Sequence, residues 1–449
     1  MAVIGAGWAG LSAALHLAEA GRAVVLFESH AQPGGRGRSL DLHGARLDNG
    51  QHILVGACRQ VQAQMRRVGV DPAEVLLTLP FGLTLREAGA APISIAPRST
   101  GMLPMAQALF RTVAREPLPV RIRTLVGAAR MLHRSTVGDS TVQQWLRSCA
   151  QPESLTRSLW EPLCLAVMNT PPDSASATIF QNVLRQTLLG EPEDAHLLIP
   201  RVPLGRLFPE PALARLKELG AEIHMQSRVR AITKAADGRF HLTLRDGAAQ
   251  VTVDQVILAV SPRAARRLLP EGHETADTCR RLEGLGKRSI CTVYLRYQRL
   301  PDHLPPLTGL LGQHGQWLLP RSVSGEPHWA AVVISAADQP SGEFHPIRWE
   351  TVSRELAETF PELGPAEEGH AICEREATLD ARTGTDARRP GPESGIPGLF
   401  LAGDYIAQGL PSTLEAAVRG GLEAATLALD PSRRLPPSPG FRPNAGFPP

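Results

Sequence analysis

The chain has 449 residues, of which 43% are hydrophobic and 20% are charged, and its formal net charge is +3. A chain of this length exceeds what a single hydrophobic core usually supports, so we expect two domains. The small net charge argues against nucleic acid as a partner, and the sequence offers no run of about 18 apolar residues that could span a bilayer.

The six cysteines are scattered along the chain, with no C-x-x-C pair and no histidine cluster at metal-ligand spacing. We therefore expect no zinc, no other metal site, no iron–sulfur cluster and no disulfide. The chain opens directly on an apolar strand and lacks the pattern of a signal peptide, which predicts a cytoplasmic protein.

The N-terminal residues predict a β-α-β unit. Residues 1–4 and 23–27 read as short apolar strands, and residues 11–20 read as a helix that Gly21 ends. Because two strands joined by a crossover helix pair in parallel, the predicted fold class is α/β.

A glycine-rich turn, GAGWAG at residues 5–10, joins the first strand to the helix. In this pattern Gly5 permits the tight turn, Gly7 lets a pyrophosphate approach the backbone, and Gly10 lets helix and strand pack closely. The helix N-terminus then receives the phosphate charge. Glu28 ends the second strand, where a carboxylate binds ribose hydroxyls. The unit therefore predicts a dinucleotide-binding site.

An arginine-rich and mostly helical insertion, residues 61–199, follows this unit. Further strands are predicted at 221–232, 240–244, 253–260, 289–297, 328–335 and 399–402, and a last helix at 412–429. We assign residues 1–60, 200–265 and 390–430 to a discontinuous dinucleotide-binding domain, 61–199 and 266–389 to an interleaved α+β substrate domain, and 431–449 to a disordered proline-rich tail.

The segment PGGRGR at residues 33–38 distinguishes FAD from NAD, because it resembles the extended FAD fingerprint of the amine oxidase and phytoene desaturase superfamily. The segments QSRVR at 226–230, GLFLAGD at 398–404 and PSTLEAA at 411–417 resemble the later FAD contacts of the same superfamily. The resemblance implies a Rossmann-like FAD domain of the glutathione-reductase type. The predicted FAD-binding residues are Gly5, Gly7, Trp8, Ala9, Gly10, Glu28, Gly35, Arg36, Val229, Gly403, Asp404, Thr413 and Leu414.

Two further segments, DNGQHIL at 48–54 and WEPLCLAVMNTP at 160–171, look like those of the bacterial squalene-associated FAD-dependent desaturases, also described as hydroxysqualene dehydroxylases. This narrower resemblance implies reductive removal of an allylic hydroxyl, in which reduced FAD supplies a hydride and hydroxysqualene becomes squalene and water. Such a reaction needs a proton for the departing water, and His52 is the candidate donor, with Gln51 to orient the hydroxyl.

A long isoprenoid substrate needs an apolar tunnel, for which the helical insertion supplies Met102, Leu103, Met105, Leu109, Phe110, Leu125, Val126, Met131 and Leu132. The same stretch, 102–134, carries six arginines against one glutamate: Arg111, Arg115, Arg121, Arg123, Arg130 and Arg134 against Glu116. A basic amphipathic stretch of this kind predicts peripheral contact with the inner face of an anionic membrane, although an ordinary solvated helix face fits the pattern equally well. The sequence contains one dinucleotide fingerprint, so the electrons come from an external donor or from transient NAD(P)H contact.

Other activities are also compatible with this fold. A carotenoid desaturase would need the same cofactor and a similar tunnel. Amine oxidases present an aromatic cage at the flavin and a buried lysine, whereas this chain places Thr413 at one cage position and Lys287 just before the expected strand. Non-catalytic prenyl-chain escort proteins share the two-domain fold but generally lack an intact flavin site.

Overall fold

The computed structural model describes residues 1–42, 44–97, 102–134, 136, 138–244, 250–338 and 347–433. Most of the predicted disordered tail, from residue 434 onward, lies outside the described residues.

The strands follow the chain in this order: Ala2–Ile4 (β1), Val25–Phe27 (β2), Ser39–Leu42 (β3), Ala45–Asp48 (β4), Leu54–Val55 (β5), Leu76–Leu79 (β6), Leu83–Arg86 (β7), Ile93–Ile95 (β8), Leu197–Pro200 (β9), Glu222–His224 (β10), Val229–Lys234 (β11), Phe240–Leu244 (β12), Gln250–Val253 (β13), Val256–Leu258 (β14), Lys287–Arg296 (β15), Thr308–Leu310 (β16), Trp317–Pro320 (β17), Trp329–Ser335 (β18), Glu368–Leu379 (β19) and Leu399–Leu401 (β20).

The α-helices follow in the same way: Trp8–Glu19 (α1), Arg59–Arg67 (α2), Pro72–Val75 (α3), Met102–Thr112 (α4), Leu118–His133 (α5), Val142–Ser148 (α6), Glu153–Leu155 (α7), Glu161–Met168 (α8), Ala177–Leu188 (α9), Leu204–Leu207 (α10), Pro209–Glu218 (α11), Pro262–Leu268 (α12), Ala276–Glu283 (α13), Trp349–Thr359 (α14), Thr385–Arg388 (α15) and Leu414–Leu429 (α16).

The first domain is built on a five-stranded parallel sheet in the order β10-β2-β1-β14-β20. Four of its strands, β1, β2, β14 and β20, are short apolar segments that are buried on both faces, as expected for a covered parallel sheet, whereas the edge strand β10 is partly exposed. Val3 packs on the side of α1 and α16, whereas Ala2 and Ile4 pack on the side of the three-stranded sheet β11-β12-β13. The α/β class and the β-α-β start of the chain are thereby confirmed.

Helix α16 packs closely on α1 because Gly421 has no side chain. A Cβ at Gly421 would lie 2.1 Å from the carbonyl oxygen of Ala9. A Cβ at the preceding Gly420 would lie 2.1 Å from the carbonyl oxygen of Gly403. The two glycines therefore bring the C-terminal helix against both the first helix and the loop that follows β20.

The second domain contains a seven-stranded sheet in the order β19-β15-β18-β17-β16-β7-β8. The strands predicted at 289–297 and 328–335 are β15 and β18. The expectation that residues 61–199 are mostly helical was incomplete, because β6, β7 and β8 lie between α3 and α4, and β7 and β8 extend this sheet. The twelve-residue strand β19 was also missed, because its sequence, EGHAICEREATL, is charged and only partly buried.

The expectation of no disulfide was wrong. Cys291 on β15 and Cys373 on β19 are joined, and their Cα atoms lie 4.1 Å apart. The two residues lie directly opposite each other in the antiparallel register of these strands. They are 82 residues apart in the sequence, so only the strand pairing brings them together.

The residues near the predicted domain boundaries pack mainly with the first domain. Val61 and Met65 of α2, Leu76 of β6 and Leu198 of β9 belong to the same buried cluster as Leu11 of α1. We therefore propose to keep the interleaved two-domain assignment while counting α2, β6 and β9 with the first domain.

Candidate functional site

The turn between β1 and α1 contains three glycines. Two of them pack against the backbone of neighbouring residues, and the third has free space beside it. A Cβ on Gly5, whose φ is +106°, would lie 2.3 Å from the carbonyl oxygen of Ala259. A Cβ on Gly10 would lie 1.9 Å from the carbonyl oxygen of Gly5. A Cβ on Gly7 would meet only the Cα atom of Gly35, at 3.9 Å. Gly5 and Gly10 therefore allow the turn to pack, whereas the backbone at Gly7 is open to a ligand.

The second glycine loop, residues 33–38, lies against this turn. The backbone N–H of Gly34 donates to the carbonyl of Ala6 at 2.8 Å, and Gly35 has a φ of +60°. The two loops meet beside the N-terminus of α1, whose first backbone N–H groups have no partner within the helix. Donors of this kind bind the oxygens of a diphosphate.

The side chain of Trp8, at the start of α1, does not face this opening. It is 3% exposed and its ring packs against Phe208, with the ring centroids 5.0 Å apart. Only the backbone of Trp8 and Ala9 is therefore available to a phosphate.

Glu28 stands at the carboxyl end of β2, beside the first glycine turn. Its Oε2 accepts a hydrogen bond from the backbone N–H of Ala6 at 2.7 Å. Its Oε1 accepts from the backbone N–H of His30 at 2.8 Å and from the hydroxyl of Ser29 at 3.2 Å. A carboxylate offers about four acceptor positions, so Oε2 keeps one for a ribose hydroxyl.

The segment that leads to Val229, another of the predicted FAD-binding residues, lies next to Glu28. The backbone N–H of Ser227 donates to the carbonyl of Glu28 at 2.7 Å, and that of Gln226 donates to the carbonyl of His30 at 3.1 Å. Val229 then begins β11 and is buried. The structure thus brings the segment that leads into Val229 against Glu28, although the two are far apart in the sequence.

Arg36 and Asp404 form an ion pair across the site. Arg36 donates from Nη2 to Oδ1 of Asp404 at 2.5 Å and from Nη1 to the carbonyl of Ala377 at 2.7 Å. Burial alone would raise the pKa of Asp404, but the Arg36 guanidinium outweighs burial, and the pKa lies below its usual range. Asp404 is therefore charged at neutral pH and holds Arg36 beside the two glycine loops.

Helix α16 begins directly after this pair. Its N-cap is Thr413, whose hydroxyl oxygen accepts from the backbone N–H of Ala416 at 3.2 Å, and Leu414 is its first helical residue. A Cβ on Gly37 would lie 3.6 Å from the side chain of Leu414, so the helix start lies against the second glycine loop. The N-terminus of a sixteen-residue helix presents positive charge to whatever binds there.

One residue of this region was missed by the sequence analysis. Glu415, in the first turn of α16, accepts hydrogen bonds from the backbone N–H groups of Gln60 at 3.1 Å and Val61 at 3.0 Å. Glu415 thereby caps the N-terminus of α2 and ties the end of the chain to its beginning. No local pattern marks this contact, because the cap lies about 350 residues away in the sequence.

The candidate catalytic residues lie on the loop after β4. The ring of His52 bonds through Nδ1 to the carbonyl of Gly50 at 3.0 Å. Since a carbonyl only accepts, Nδ1 carries a hydrogen in both protonation states, and the proton that comes and goes is on Nε2. Burial lowers the pKa of His52 below its ordinary value, against the opposing effects of the Gly50 carbonyl and Asp48.

Gln51 was predicted to orient the substrate hydroxyl, but its side chain is hydrogen-bonded to other residues of the protein. Its Nε2 donates to the hydroxyl of Tyr294 at 2.6 Å, and its Oε1 accepts from Nη1 of Arg321 at 2.5 Å. Both polar ends of the side chain therefore have protein partners, neither of which the sequence analysis had identified.

An apolar cleft of about 160 Å³ lies within the insertion, since all of its lining residues fall between residues 80 and 195. Its lining includes Phe81, Met105, Leu109, Leu125, Leu132 and Leu188.

One wall of the cleft approaches the candidate catalytic loop. The cleft is lined there by Pro192 and Ala195, and a Cβ on Gly56 would lie 1.8 Å from the carbonyl oxygen of Glu193 between them. Ile53, directly after His52, packs against the same apolar cluster as Leu109. The residues that follow His52 therefore lie close to the segment that lines the cleft.

The outer face of α5 carries exposed apolar side chains. Leu118, Ile122 and Val126 are 58%, 52% and 46% exposed, and their spacing of four residues places them on one side of the helix. Helices α4 and α5 form a helical hairpin, residues 102–134. This hairpin carries five exposed arginines: Arg111, Arg115, Arg123, Arg130 and Arg134. The predicted tunnel residues Met102 and Leu103 have side chains that lie outside the described part.

The sixth arginine of this hairpin, Arg121, is half-buried. Its guanidinium lies over the ring of Phe110, 3.6 Å from the centroid, so it joins α5 to α4. Among the described helices none is long and apolar enough to cross a membrane, and the described residues hold no group of three potential metal ligands from histidine, cysteine and acidic side chains.

Comparison with known proteins identifies the family. The profile of the flavin containing amine oxidoreductases matches residues 8–429. The chain belongs to the flavin containing amine oxidoreductase family. The cofactor of this oxidoreductase is FAD. We propose that the two glycine loops, Glu28 and the Arg36–Asp404 pair form its binding site.

The chain is also similar to individual proteins. The hydroxysqualene dehydroxylase of Rhodopseudomonas palustris is 33% identical over 451 residues, covering 96% of this chain and 98% of the relative. The 15-cis-phytoene desaturase of Glycine max is 22% identical over 456 residues, covering 96% and 80%. An oxidoreductase structure from Methanosarcina mazei superposes with a TM-score of 0.72 at 16% identity, covering 94% and 98%, and shows the same fold.

Proposed function

We propose that this flavoenzyme removes the hydroxyl group of hydroxysqualene and releases squalene. The observation that carries the proposal is the 33% identity to a hydroxysqualene dehydroxylase, which extends over 96% of the chain and therefore includes both domains. The apolar cleft of the insertion supports an isoprenoid substrate, because it offers a hydrocarbon a wall of apolar side chains.

The reaction breaks one C–O bond and forms one C–H bond. An allylic alcohol takes up a proton and a hydride and yields an alkene and water. Reduced FAD supplies the hydride. The chain itself must deliver the proton to the departing hydroxyl and keep bulk water from the carbon that loses it.

We propose His52 as the proton donor. The carbonyl of Gly50 holds Nδ1, so the titrating Nε2 is the atom that can face the substrate. In this scheme Gln51 holds the loop in place and does not contact the substrate, because both ends of its amide are hydrogen-bonded to Tyr294 and Arg321.

The activity is tested by anaerobic incubation of FAD-loaded protein with hydroxysqualene and a chemical reductant, followed by mass analysis of the lipid extract. Squalene together with reoxidised flavin is the expected result. Unchanged hydroxysqualene beside fully reduced FAD would contradict the proposal. The same assay with phytoene under oxidising conditions tests the runner-up, a carotenoid desaturase, because new conjugated double bonds absorb visible light.

An amine oxidase activity has less support. Lys287 begins β15 but is exposed and paired with Glu376 at 2.6 Å, so it cannot serve as a buried lysine beside a flavin. The cage position occupied by Thr413 carries a helix cap and no aromatic ring. We further propose an external electron donor, since the sequence has one dinucleotide fingerprint.

We propose that α5 docks on the anionic inner face of the membrane. Its exposed apolar face would enter the interface, and the surrounding arginines would meet acidic lipid head groups. Leu125 and Ala128 of the same helix line the cleft, so a docked helix would bring the lipid phase close to the substrate site.

Replacing Ile122 by aspartate is expected to weaken binding to anionic vesicles about tenfold or more, because burial of such a side chain contributes about 1.5–3 kcal/mol. Co-sedimentation at low salt measures the effect. The control is Ala236→Asp, which adds the same charge at an exposed turn of the first domain. Equal binding by the two variants would refute docking through α5.

A further inference from the structure

A buried polar cluster connects the candidate catalytic loop to the second domain. Its members come from four places: Asp48 at the end of β4, Gln51 in the loop, Tyr294 on β15, and Arg321 just after β17. Asp48, Tyr294 and Arg321 are 2%, 0% and 4% exposed. No local pattern in the sequence indicates this cluster, because its members are separated by up to 273 residues.

The hydrogen bonds of the cluster have defined directions. The Tyr294 hydroxyl donates to the carbonyl of Asp48 at 2.7 Å, so its oxygen is left to accept. It accepts from Nε2 of Gln51 at 2.6 Å and from the backbone N–H of Asp48 at 3.2 Å. Arg321 can only donate, and its Nη1 meets Oε1 of Gln51 at 2.5 Å. Tyr294 and Arg321 therefore fix one orientation of the Gln51 amide.

The charges of the cluster are paired inside the protein. Nη2 of Arg321 lies 3.4 Å from Oδ2 of Asp48. Asp48 also accepts from the hydroxyl of Ser39 at 3.0 Å and the backbone N–H of Leu204 at 2.9 Å. Burial raises the pKa of Asp48, and Arg321 opposes that rise. Buried ion pairs add little net stability compared with apolar residues, but they select one conformation where the geometry is well satisfied.

The connection from this cluster to His52 runs through two neighbouring residues. Gln51 is fixed by its side chain, Gly50 precedes it, and the Gly50 carbonyl holds Nδ1 of His52. A change in the conformation of Gln51 would move that carbonyl and with it the imidazole ring.

We propose that Arg321 and Tyr294 are positioning residues for the dehydroxylation: they hold Gln51, and through the 48–52 turn they set the direction in which His52 presents Nε2 to the substrate hydroxyl. This inference rests on the proposed function. Neither residue touches the substrate in this scheme. Displacement of a catalytic group by about 1 Å can cost 100-fold in rate, so a small loosening of the turn has a large effect.

The test compares Tyr294→Phe with Tyr297→Phe in the FAD-loaded enzyme. Both variants remove one hydroxyl from a buried tyrosine of the same chain segment, but Tyr297 lies outside the cluster. Tyr294→Phe is expected to lower kcat about 10- to 100-fold with little change in KM. Tyr297→Phe is expected to retain the wild-type kcat. Similar kcat values for the two variants would overturn the proposal.

A second readout does not depend on turnover. The ring resonances of His52, assigned by their loss in His52→Gln, report its titration in isotope-labelled protein. The charged groups that act on His52 are Asp48 and Arg36, and neither is substituted in Tyr294→Phe. Loosening of the turn in Tyr294→Phe should expose the ring and raise its pKa toward the ordinary value, whereas Tyr297→Phe should leave it unchanged.

The two readouts separate the two proposals. If the wild-type enzyme leaves hydroxysqualene unchanged, the proposed function fails, and the His52 titration still decides whether Tyr294 positions the turn. If the enzyme is active and the His52 titration is the same in Tyr294→Phe as in the wild type, the positioning role fails alone. Arg321→Lys, which keeps the charge beside Asp48 but loses the hydrogen bond from Nη1 to Gln51, is expected to show the kcat loss of Tyr294→Phe.

Discussion

Replacing Gly7 by valine is expected to abolish FAD binding and to leave the fold intact. The backbone at Gly7 is extended, with φ −74° and ψ 176°, so valine is tolerated there, and its Cβ would have only one neighbour, at 3.9 Å. The branched side chain would fill the space in which a diphosphate approaches the N-terminus of α1. Loss of two hydrogen bonds to a charged group, each worth about 1.5–3 kcal/mol, weakens binding about 100-fold or more.

Two other glycines provide the controls for this prediction. Gly272→Val changes another residue that precedes a helical turn, with φ 170° and ψ 168° and no atom within 4 Å of its Cβ, and should keep FAD. Gly10→Val should lose both FAD and stability, because its Cβ would lie 1.9 Å from the Gly5 carbonyl. Flavin absorbance after gel filtration measures binding, and thermal unfolding of the apoprotein measures stability. A Gly7→Val protein that retains FAD would show that the diphosphate does not bind at this turn.

Replacing His52 by glutamine is expected to lower kcat for dehydroxylation by about 100- to 10,000-fold, the usual contribution of a positioned proton donor. Bound FAD should be retained, because the Arg36–Asp404 pair and the glycine loops are unchanged. Single-turnover reoxidation of reduced flavin by hydroxysqualene isolates this step from the supply of electrons. Near-normal turnover in a variant that keeps FAD would rule out His52 as the proton donor.

The pH dependence gives an independent check on His52. Burial lowers the pKa of this histidine, so the protonated form that donates is lost at a lower pH than for an exposed histidine. The single-turnover rate should therefore be highest in acid and fall about tenfold per pH unit above a midpoint below the ordinary value of about 6.5. The decline should disappear in His52→Gln. A rate that rises with pH over the same range would require a different donor.

The features that depend on local chemistry could be predicted from the order of residues alone. The order strand, glycine turn, helix, strand and acid predicted the parallel sheet and the dinucleotide site, because each glycine has a steric task within a few residues of its neighbours. The segments around Arg36 and Asp404 identified the cofactor as FAD, and the structure joins these two residues in one ion pair.

Contacts between distant segments could not be predicted from the sequence. The Cys291–Cys373 bond, the cap that Glu415 provides for α2, and the cluster of Asp48, Tyr294 and Arg321 all join residues more than 80 positions apart. Periodicity and short motifs report which face of an element is buried, but not which distant element covers it. Strand register and helix packing set those partners. Here they bring Tyr294 and Arg321 of the second domain against the loop that carries His52.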